Sequence, residues 1–310
     1  MPGATTITMV LTLQKAKDFL TGSLAEPLSE FTHLDPGGPT ASELAKYKGL
    51  LDLSGLTTLD VPSAEHLSKH QGKLDLSGLN TLDVQSAEHL SKHQGGLILG
   101  GLTTLDVQSA EHLSKHQGEL DLSGLTNLNV RSAVHLSKHQ GELNLSGLTN
   151  LNVRSAEHLS KHQGGLVLSG LTTLDAASAE HLSKHRGGLI LSMLATLTLE
   201  VAEMLFKFEE APTTTGTTAA AAPRSIPEKY LGHEGILDLS GLTSLDPNSA
   251  NKVRRHKGSL FLNGIEDLQD QVLDILAKHQ GVLALGGLKA EHVQNAKEKL
   301  KNHKGLVIWP

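Results

Sequence analysis

The segment LDLSGLNTLDVQSAEHLSKHQG at residues 74–95 contains the pattern that decides the fold of this chain. Similar segments recur every 23 residues, and the leucines that open them are Leu51, Leu74, Leu97, Leu120, Leu143, Leu166 and Leu189, followed by Leu237, Leu260 and Leu283. Positions within each repeat are numbered 1 to 23 from that leucine. A fixed period of this length indicates a stack of small units.

Each repeat combines the signals of a strand and a helix. Leucine at positions 1 and 3 predicts a short strand, and glycine at position 5 predicts a turn after it. Asp60 or Asn129 at position 10 is a good helix N-cap. Ser63, Ala64 and Leu67, at positions 13, 14 and 17, then share one helix face, and glycine at position 22 is the expected helix stop. Because one repeat cannot bury both elements, we expect an α/β solenoid of stacked repeats with parallel strands.

The L-x-L strand, the later leucine of the turn and the Ala-x-x-Leu of the helix resemble those of leucine-rich repeat (LRR) proteins. The bacterial GALA-like, ribonuclease-inhibitor-like type is the most similar subtype, since it has a helical outer face and a repeat of similar length. The resemblance covers residues 26–211 and 228–310 and implies parallel strands on a concave face and short helices on a convex face. It also implies partner binding on the concave face. One departure is leucine at position 6, where the family usually has asparagine.

The order of segments along the chain predicts four regions. Residues 1–25 are an N-terminal capping segment with a helix over 10–24, and residues 26–211 are the LRR array. Residues 212–227, PTTTGTTAAAAPRSIP, are a Thr/Ala/Pro-rich linker or loop. Residues 228–310 continue the array to a C-terminal cap with an edge strand over 306–309. Residues 212–236 either loop out of one continuous solenoid or form a hinge between two arrays.

Composition excludes several classes of function. The 310 residues include no cysteine, which excludes disulfides, thiolate catalysis and cysteine metal sites. A net charge of −6 argues against nucleic acid as a partner, and no apolar run is long enough for a membrane helix. We expect a monomer without cofactor. The absence of cysteines and of a clear signal peptide favours the cytoplasm, and a secreted protein is the alternative.

Positions 2 and 23 vary between repeats that are otherwise almost identical, which is what a recognition surface requires. We therefore predict a protein or peptide partner on the concave face, and neutral drift is the alternative interpretation. Ile98, Val167, Ile190 and Phe261 are expected to face solvent, where apolar side chains often mark binding sites, and glycine at position 23 is expected to leave room for a partner's backbone. The predicted partner-binding residues are Asp52, Lys73, Asp75, Ile98, Glu119, Asp121, Glu142, Asn144, Val167, Ile190, Asp238 and Phe261.

The 18 histidines are the unusual feature of the composition, and many occur in pairs such as His66 and His70. Spacing i, i+4 suits two zinc ligands, but no third ligand recurs beside them, so no metal site is predicted. Position 20 is Tyr47 and Phe208 in outer repeats, which favours half-buried packing with a backbone hydrogen bond. Loss of stability at acidic pH is then expected, and a metal- or pH-responsive protein is one alternative function.

Catalysis is not predicted, and no catalytic residue is assigned. Asp60, Ser63 and His66 lie close in sequence, but they recur because the repeat recurs, and the first two already have capping roles. A structural spacer with no specific ligand remains a further alternative, because near-identical repeats fit selection for length as well as selection for binding.

Overall fold

The computed structural model describes residues 9–206 and 235–310. Two compact units divide the chain, and the described residues within Met1–Leu151 and His162–Gly170 are called unit 1, while those within Asn152–Lys161 and Leu171–Pro310 are called unit 2. The predicted linker at 212–227, the start of the capping segment at 1–8 and Phe208 lie outside the described residues.

Unit 1 alternates two-residue strands with short helices. Its elements are β1 (Val10–Leu11), α1 (Leu13–Thr21), a 3-10 helix (Leu28–Glu30), β2 (His33–Leu34), α2 (Pro39–Leu44), β3 (Leu51–Asp52), α3 (Val61–Leu67), β4 (Leu74–Asp75), α4 (Val84–Leu90), β5 (Leu97–Ile98), α5 (Val107–Leu113), β6 (Leu120–Asp121), α6 (Val130–Leu136), β7 (Leu143–Asn144) and β8 (Leu166–Val167).

Unit 2 follows the same alternation. Its elements are α7 (Val153–Leu159), α8 (Ala176–Leu182), β9 (Leu189–Ile190), α9 (Leu199–Leu205), β10 (Ile236–Asp238), α10 (Pro247–Val253), β11 (Ser259–Phe261), α11 (Asp270–Leu276), β12 (Leu283–Ala284), α12 (Ala290–Lys299) and β13 (Val307–Ile308).

The strands of each unit form a parallel sheet in which equivalent repeat positions pair. In unit 1 the strands β3 to β8 lie in sequence order, with Leu51 opposite Leu74 and Leu74 opposite Leu97. In unit 2 the order runs from β9 to β13, with Leu237 opposite both Leu189 and Leu260. Position 1 therefore aligns with position 1 throughout each sheet. This register confirms the predicted α/β leucine-rich repeat solenoid.

The core is a column of identical leucines and alanines. In the repeat that begins at Leu97, the side chains of Leu97, Leu99, Leu102, Ala110 and Leu113 are all fully buried. These are positions 1, 3, 6, 14 and 17, so the strand, the turn and the helix each contribute to one layer. Stacking a repeat on its neighbour buries what a single repeat would expose.

The helices begin as predicted. Asp83 at position 10 accepts a hydrogen bond from the backbone N–H of Ser86 at 2.9 Å and another from its hydroxyl at 2.6 Å. Asn129 accepts from the backbone N–H of Ser132 at 2.8 Å. These bonds satisfy free N–H groups of the first helical turn.

The helices do not end where the sequence predicted. Helix α3 ends at Leu67 and its C-cap, Ser68, is right-handed, so Gly72 at position 22 is not the helix stop. A Cβ at Gly72 would overlap the carbonyl oxygen of Gly49, the equivalent glycine of the preceding repeat. Position 22 is glycine because two backbones touch there, and the prediction of a capping role was wrong.

The two ends of the array differ in how closely they match the expectation. The N-terminal helix α1 spans Leu13–Thr21 and follows strand β1, which pairs with β2 in a separate two-stranded sheet. The predicted helix over 10–24 was therefore too long at both ends. At the other end, β13 pairs with β12 in parallel, which confirms a last edge strand.

Candidate functional site

The parallel register arranges positions 2 and 23 in two adjacent rows, which we call the strand face. In unit 1 the position 2 row consists, in order, of Asp52, Asp75, Ile98, Asp121, Asn144 and Val167. The position 23 residues precede the strands, and in unit 1 they are Lys73, Gly96, Glu119, Glu142 and Gly165. The structure thus brings together nine of the predicted partner-binding residues in unit 1, while Ile190, Asp238 and Phe261 lie on the strand face of unit 2.

The acidic side chains of the position 2 row also have a structural role that the sequence analysis missed. The Oδ1 atom of Asp75 accepts the backbone N–H of Ser77 at 2.9 Å, and Asn144 accepts that of Ser146 at 3.0 Å. The same bond occurs at Asp52, Asp121 and Asp238. Each carboxylate therefore fixes the turn after its strand with one oxygen, and the second oxygen of Asp121 accepts the amide of Asn144 at 3.1 Å.

An ion pair spans two repeats on this surface. Lys73 Nζ lies 3.0 Å from Glu119 Oε2, and the two residues flank Gly96 in the position 23 row. A Cβ at Gly96 would lie 3.3 Å from Glu119 Oε2 and 3.4 Å from Lys73 Cγ. The space above Gly96 is therefore used by this pair. The expectation that it is open to a partner's backbone was wrong at this position.

The apolar side chains of the strand face are less exposed than expected. Ile98, Val167, Ile190 and Phe261 are each half-buried. In unit 2, Ile236 at position 23 is 46 % exposed, and Ile308, which pairs with Ala284 in the position 2 row, is 42 % exposed. Both were left out of the predicted site, although the repeat numbering of Ile236 could have identified it.

Position 20 forms a second column, which we call the histidine stack. In unit 1 it consists of His70, His93, His116, His139 and His162, whose adjacent ring centroids lie 5.9–6.0 Å apart with interplanar angles of 6° or less. Each ring is at most 1 % exposed. In unit 2, His256 and His279 stack in the same way at 6.3 Å, whereas the half-buried ring of His303 lies 5.8 Å from His279 at an angle of 35°.

Burial in the histidine stack exceeds the half-buried state that the sequence predicted. The expected backbone hydrogen bond is present at His70, whose Nε2 donates to Gly49 O at 3.0 Å. Burial, and to a smaller extent the neighbouring rings of His116 and His70, lowers the pKa of His93 to about 4. Tyr47, by contrast, is 37 % exposed and packs edge-on against Phe19.

The histidines of position 16 are different, because they are half-buried on the helices. Across residues 9–206 and 235–310, no group of three or more His, Asp or Glu side chains is arranged to hold a metal ion. Asp60 and Ser63, the other two residues of the recurring Asp/Ser/His set, have capping positions: Asp60 Oδ1 accepts the N–H of Ser63 at 2.9 Å and Oδ2 accepts that of Gly37 at 2.8 Å.

No protein-family model and no curated protein matches the sequence. Among solved structures, the chain is similar to an LRR protein of Leptospira interrogans, with 16% identity, a TM-score of 0.39 and coverage of 96% of this chain and 81% of that one. It is also similar to an internalin (InlF) of Listeria monocytogenes, with 16% identity, a TM-score of 0.44 and coverage of 87% and 77%.

The repeat register of the chain itself defines a leucine-rich repeat fold. The leucine of position 1 lies in a parallel strand and that of position 3 follows it, and helices α3 to α8 each bury an alanine and a leucine at positions 14 and 17. Among the described helices, none combines the length and the apolar character needed to cross a membrane.

Proposed function

We propose that this protein is a non-catalytic scaffold that binds a protein or peptide partner on its strand face. The observation that carries the proposal is the contrast between neighbouring residues of each strand. Leu74 and Leu97 are identical and fully buried, whereas the residues after them are Asp75 and Ile98, which are half-buried at the surface. The two repeats therefore differ at a surface position of the strand and are identical at the buried position beside it.

The chemistry of the strand face suits recognition. In unit 1 it combines carboxylates with Ile98 and Val167, so charged and apolar groups share a rigid support with strands ~4.8 Å apart. Electrostatic complementarity contributes partner choice and association rate, and a few well-buried residues contribute most of the affinity in typical interfaces. Because parallel pairing already fixes the two-residue strands, the backbone of the strand face loses little conformational freedom when a partner binds.

The test uses substitutions that the frame already tolerates. Asn144 shows that position 2 accepts asparagine, whose Oδ1 then accepts the N–H of position 4. We therefore choose Ile98→Asn with Val167→Asn as the strand-face variant. Val107→Asn with Val130→Asn is the matched control, since both valines are half-buried at the first turn of their helices.

Wild type, the strand-face variant and the control are each immobilised and exposed to a lysate of the native host at fixed ionic strength. The retained protein is then purified, and its affinity for all three chains is measured by titration. We expect the strand-face variant to lose affinity by tenfold or more, at unchanged melting temperature, and the control to bind like wild type. Equal loss in both variants would contradict the strand face as the binding site. Retention of no protein by a folded wild-type chain would favour the structural spacer.

A further inference from the structure

We propose that the histidine stack is an acid-operated switch, in which uptake of protons by the position 20 rings separates the repeats of this protein under mildly acidic conditions. The proposal concerns the frame and is independent of whether the strand face binds a partner. It rests on the position of the rings at the interfaces between repeats, on their complete burial, and on their continuous stacking.

Each ring of the stack closes the interface between its own repeat and the preceding one. A Cβ at Gly95 would lie 2.7 Å from the carbonyl carbon of Gly72, closer still to its oxygen, and 3.0 Å from His93 Nε2. The two glycine backbones and the imidazole therefore meet without space for a further atom. His70 shows the bond that this geometry permits, from Nε2 to the carbonyl of Gly49 in the preceding repeat at 3.0 Å.

The surroundings of the stack accept neutral rings and oppose charged ones. Burial and the positive charges that the rings of His116 and His70 would carry oppose a proton on His93, and together they outweigh the carbonyl groups of Gly72 and Ser68, which favour it. His116 is likewise acted on by His139, and His139 by His162, while the remaining groups that face these two rings are backbone carbonyls.

The charged side chains of the adjoining elements are not placed to compensate a proton in the stack. The nearby helix lysines, such as Lys92 and Lys115, are exposed and carry the same sign as an imidazolium. Glu119, which adjoins the stack through its backbone, extends its carboxylate to Lys73 on the strand face. Protonation of two neighbouring rings would therefore place two positive charges about 6 Å apart in a desolvated interface.

The direction of the pH effect follows from linkage. Burial lowers the pKa of His93, His116, His139 and His162 in the folded chain, and the pKa of His93 is about 4. An unfolded histidine has a pKa of about 6.5, so unfolding takes up protons below that value. Stability is therefore complete above pH ~7 and is lost as the pH falls from ~6.5 toward the folded values.

The expected size of the effect can be given for one ring. With values of about 6.5 unfolded and about 4 folded, His93 alone raises the unfolding constant roughly 20-fold between pH 7 and pH 5. Several rings of the stack act in the same direction when repeats unfold together, so the effects multiply. This steepness distinguishes a switch from the mild acid sensitivity of a single buried histidine.

The test compares His93→Phe with His89→Phe, because both histidines belong to the same repeat and only His93 is in the stack. Phe208 shows that position 20 has accepted phenylalanine in another repeat of this sequence. Urea unfolding of the full chain is measured at pH 7 and pH 5. In wild type and in His89→Phe we expect the same steep rise of the unfolding constant, and in His93→Phe a rise that is roughly 20-fold smaller.

Equal pH dependence of His93→Phe and wild type would overturn the proposal. If His93→Phe does not fold, wild-type chain with isotope-labelled histidine decides the matter by NMR titration. Stack rings that stay neutral until the pH at which the fold is lost would support the switch, and stack rings that titrate near 6.5 within the folded chain would overturn it.

Discussion

Two adjacent glycines of one repeat, Gly95 and Gly96, are expected to respond to alanine in opposite ways. At Gly95 the added Cβ would meet the backbone of Gly72 in the preceding repeat, with 2.7 Å to the carbonyl carbon and less to the oxygen. At Gly96 the nearest atom is Glu119 Oε2 at 3.3 Å, the end of a flexible and partly exposed side chain.

The expected change in unfolding free energy depends on which atoms must move to make room for the added Cβ. Relief of the contact at Gly95 requires two paired backbones to separate, and overpacking of a close-packed interior costs about 1–3 kcal/mol. Removing glycine also restricts the unfolded chain, which offsets roughly 0.4–1 kcal/mol of this cost. We therefore expect Gly95→Ala to lose about 1–2 kcal/mol of unfolding free energy. For Gly96→Ala, Glu119 can shift, so the change should lie within about 0.5 kcal/mol of zero.

Urea unfolding followed by far-ultraviolet circular dichroism at pH 7.5 measures both changes. A lower midpoint for Gly95→Ala at an unchanged slope would show a loss of stability of the folded repeats. If Gly95→Ala is as stable as wild type, or if the two variants lose equal stability, the reasoning from backbone contact at position 22 is refuted.

Three further predictions concern single contacts. Replacement of Asp106 by Ala should cost about 1 kcal/mol in urea unfolding at pH 7, because the N-cap bond to Ser109 is lost. Burial raises the pKa of Asp106, but hydrogen bonds from Ser109 lower it, and the balance is a lowered pKa. The stabilising contribution of Asp106 should therefore disappear as the pH falls below ~4. A double-mutant cycle on Lys73 and Glu119 should give a coupling of at most about 1 kcal/mol, lower in high salt, since both side chains are partly exposed. Leu97→Ala should destabilise by about 2–5 kcal/mol in the same assay, because the side chain is fully buried.

The local pattern of this sequence was enough to predict its fold, because the signals of one repeat recur until their register is unmistakable. The strand at Leu97, the N-cap at Asp106 and the helix after it follow from alternation, capping chemistry and spacing. The end of the helix did not follow. Glycine at position 22 satisfies two physical demands equally well, a left-handed cap and a close backbone approach, and only the stacked repeats distinguish them.

The candidate sites were harder to predict from the sequence than the fold, because they depend on contacts between repeats. The sequence predicted that Ile98 faces solvent. It is half-buried, because it lies between the neighbouring strands that carry Asp75 and Asp121. The pair of Lys73 and Glu119 joins residues that are 46 positions apart, and it becomes visible only when three consecutive repeats are stacked. Burial of His93 was underestimated because the residue follows the helix, where the path of the chain is set by the neighbouring glycines.

The most direct test of the central claim, that the strand face is the recognition surface on a constant frame, is site-specific photocrosslinking. A photoreactive phenylalanine analogue is introduced at Ile98 on the strand face or at Val107 on α5, and each chain is irradiated in the native lysate. We expect a discrete crosslinked species from position 98 and none from position 107. A species from position 107 alone, or equal yields from both positions, would contradict it.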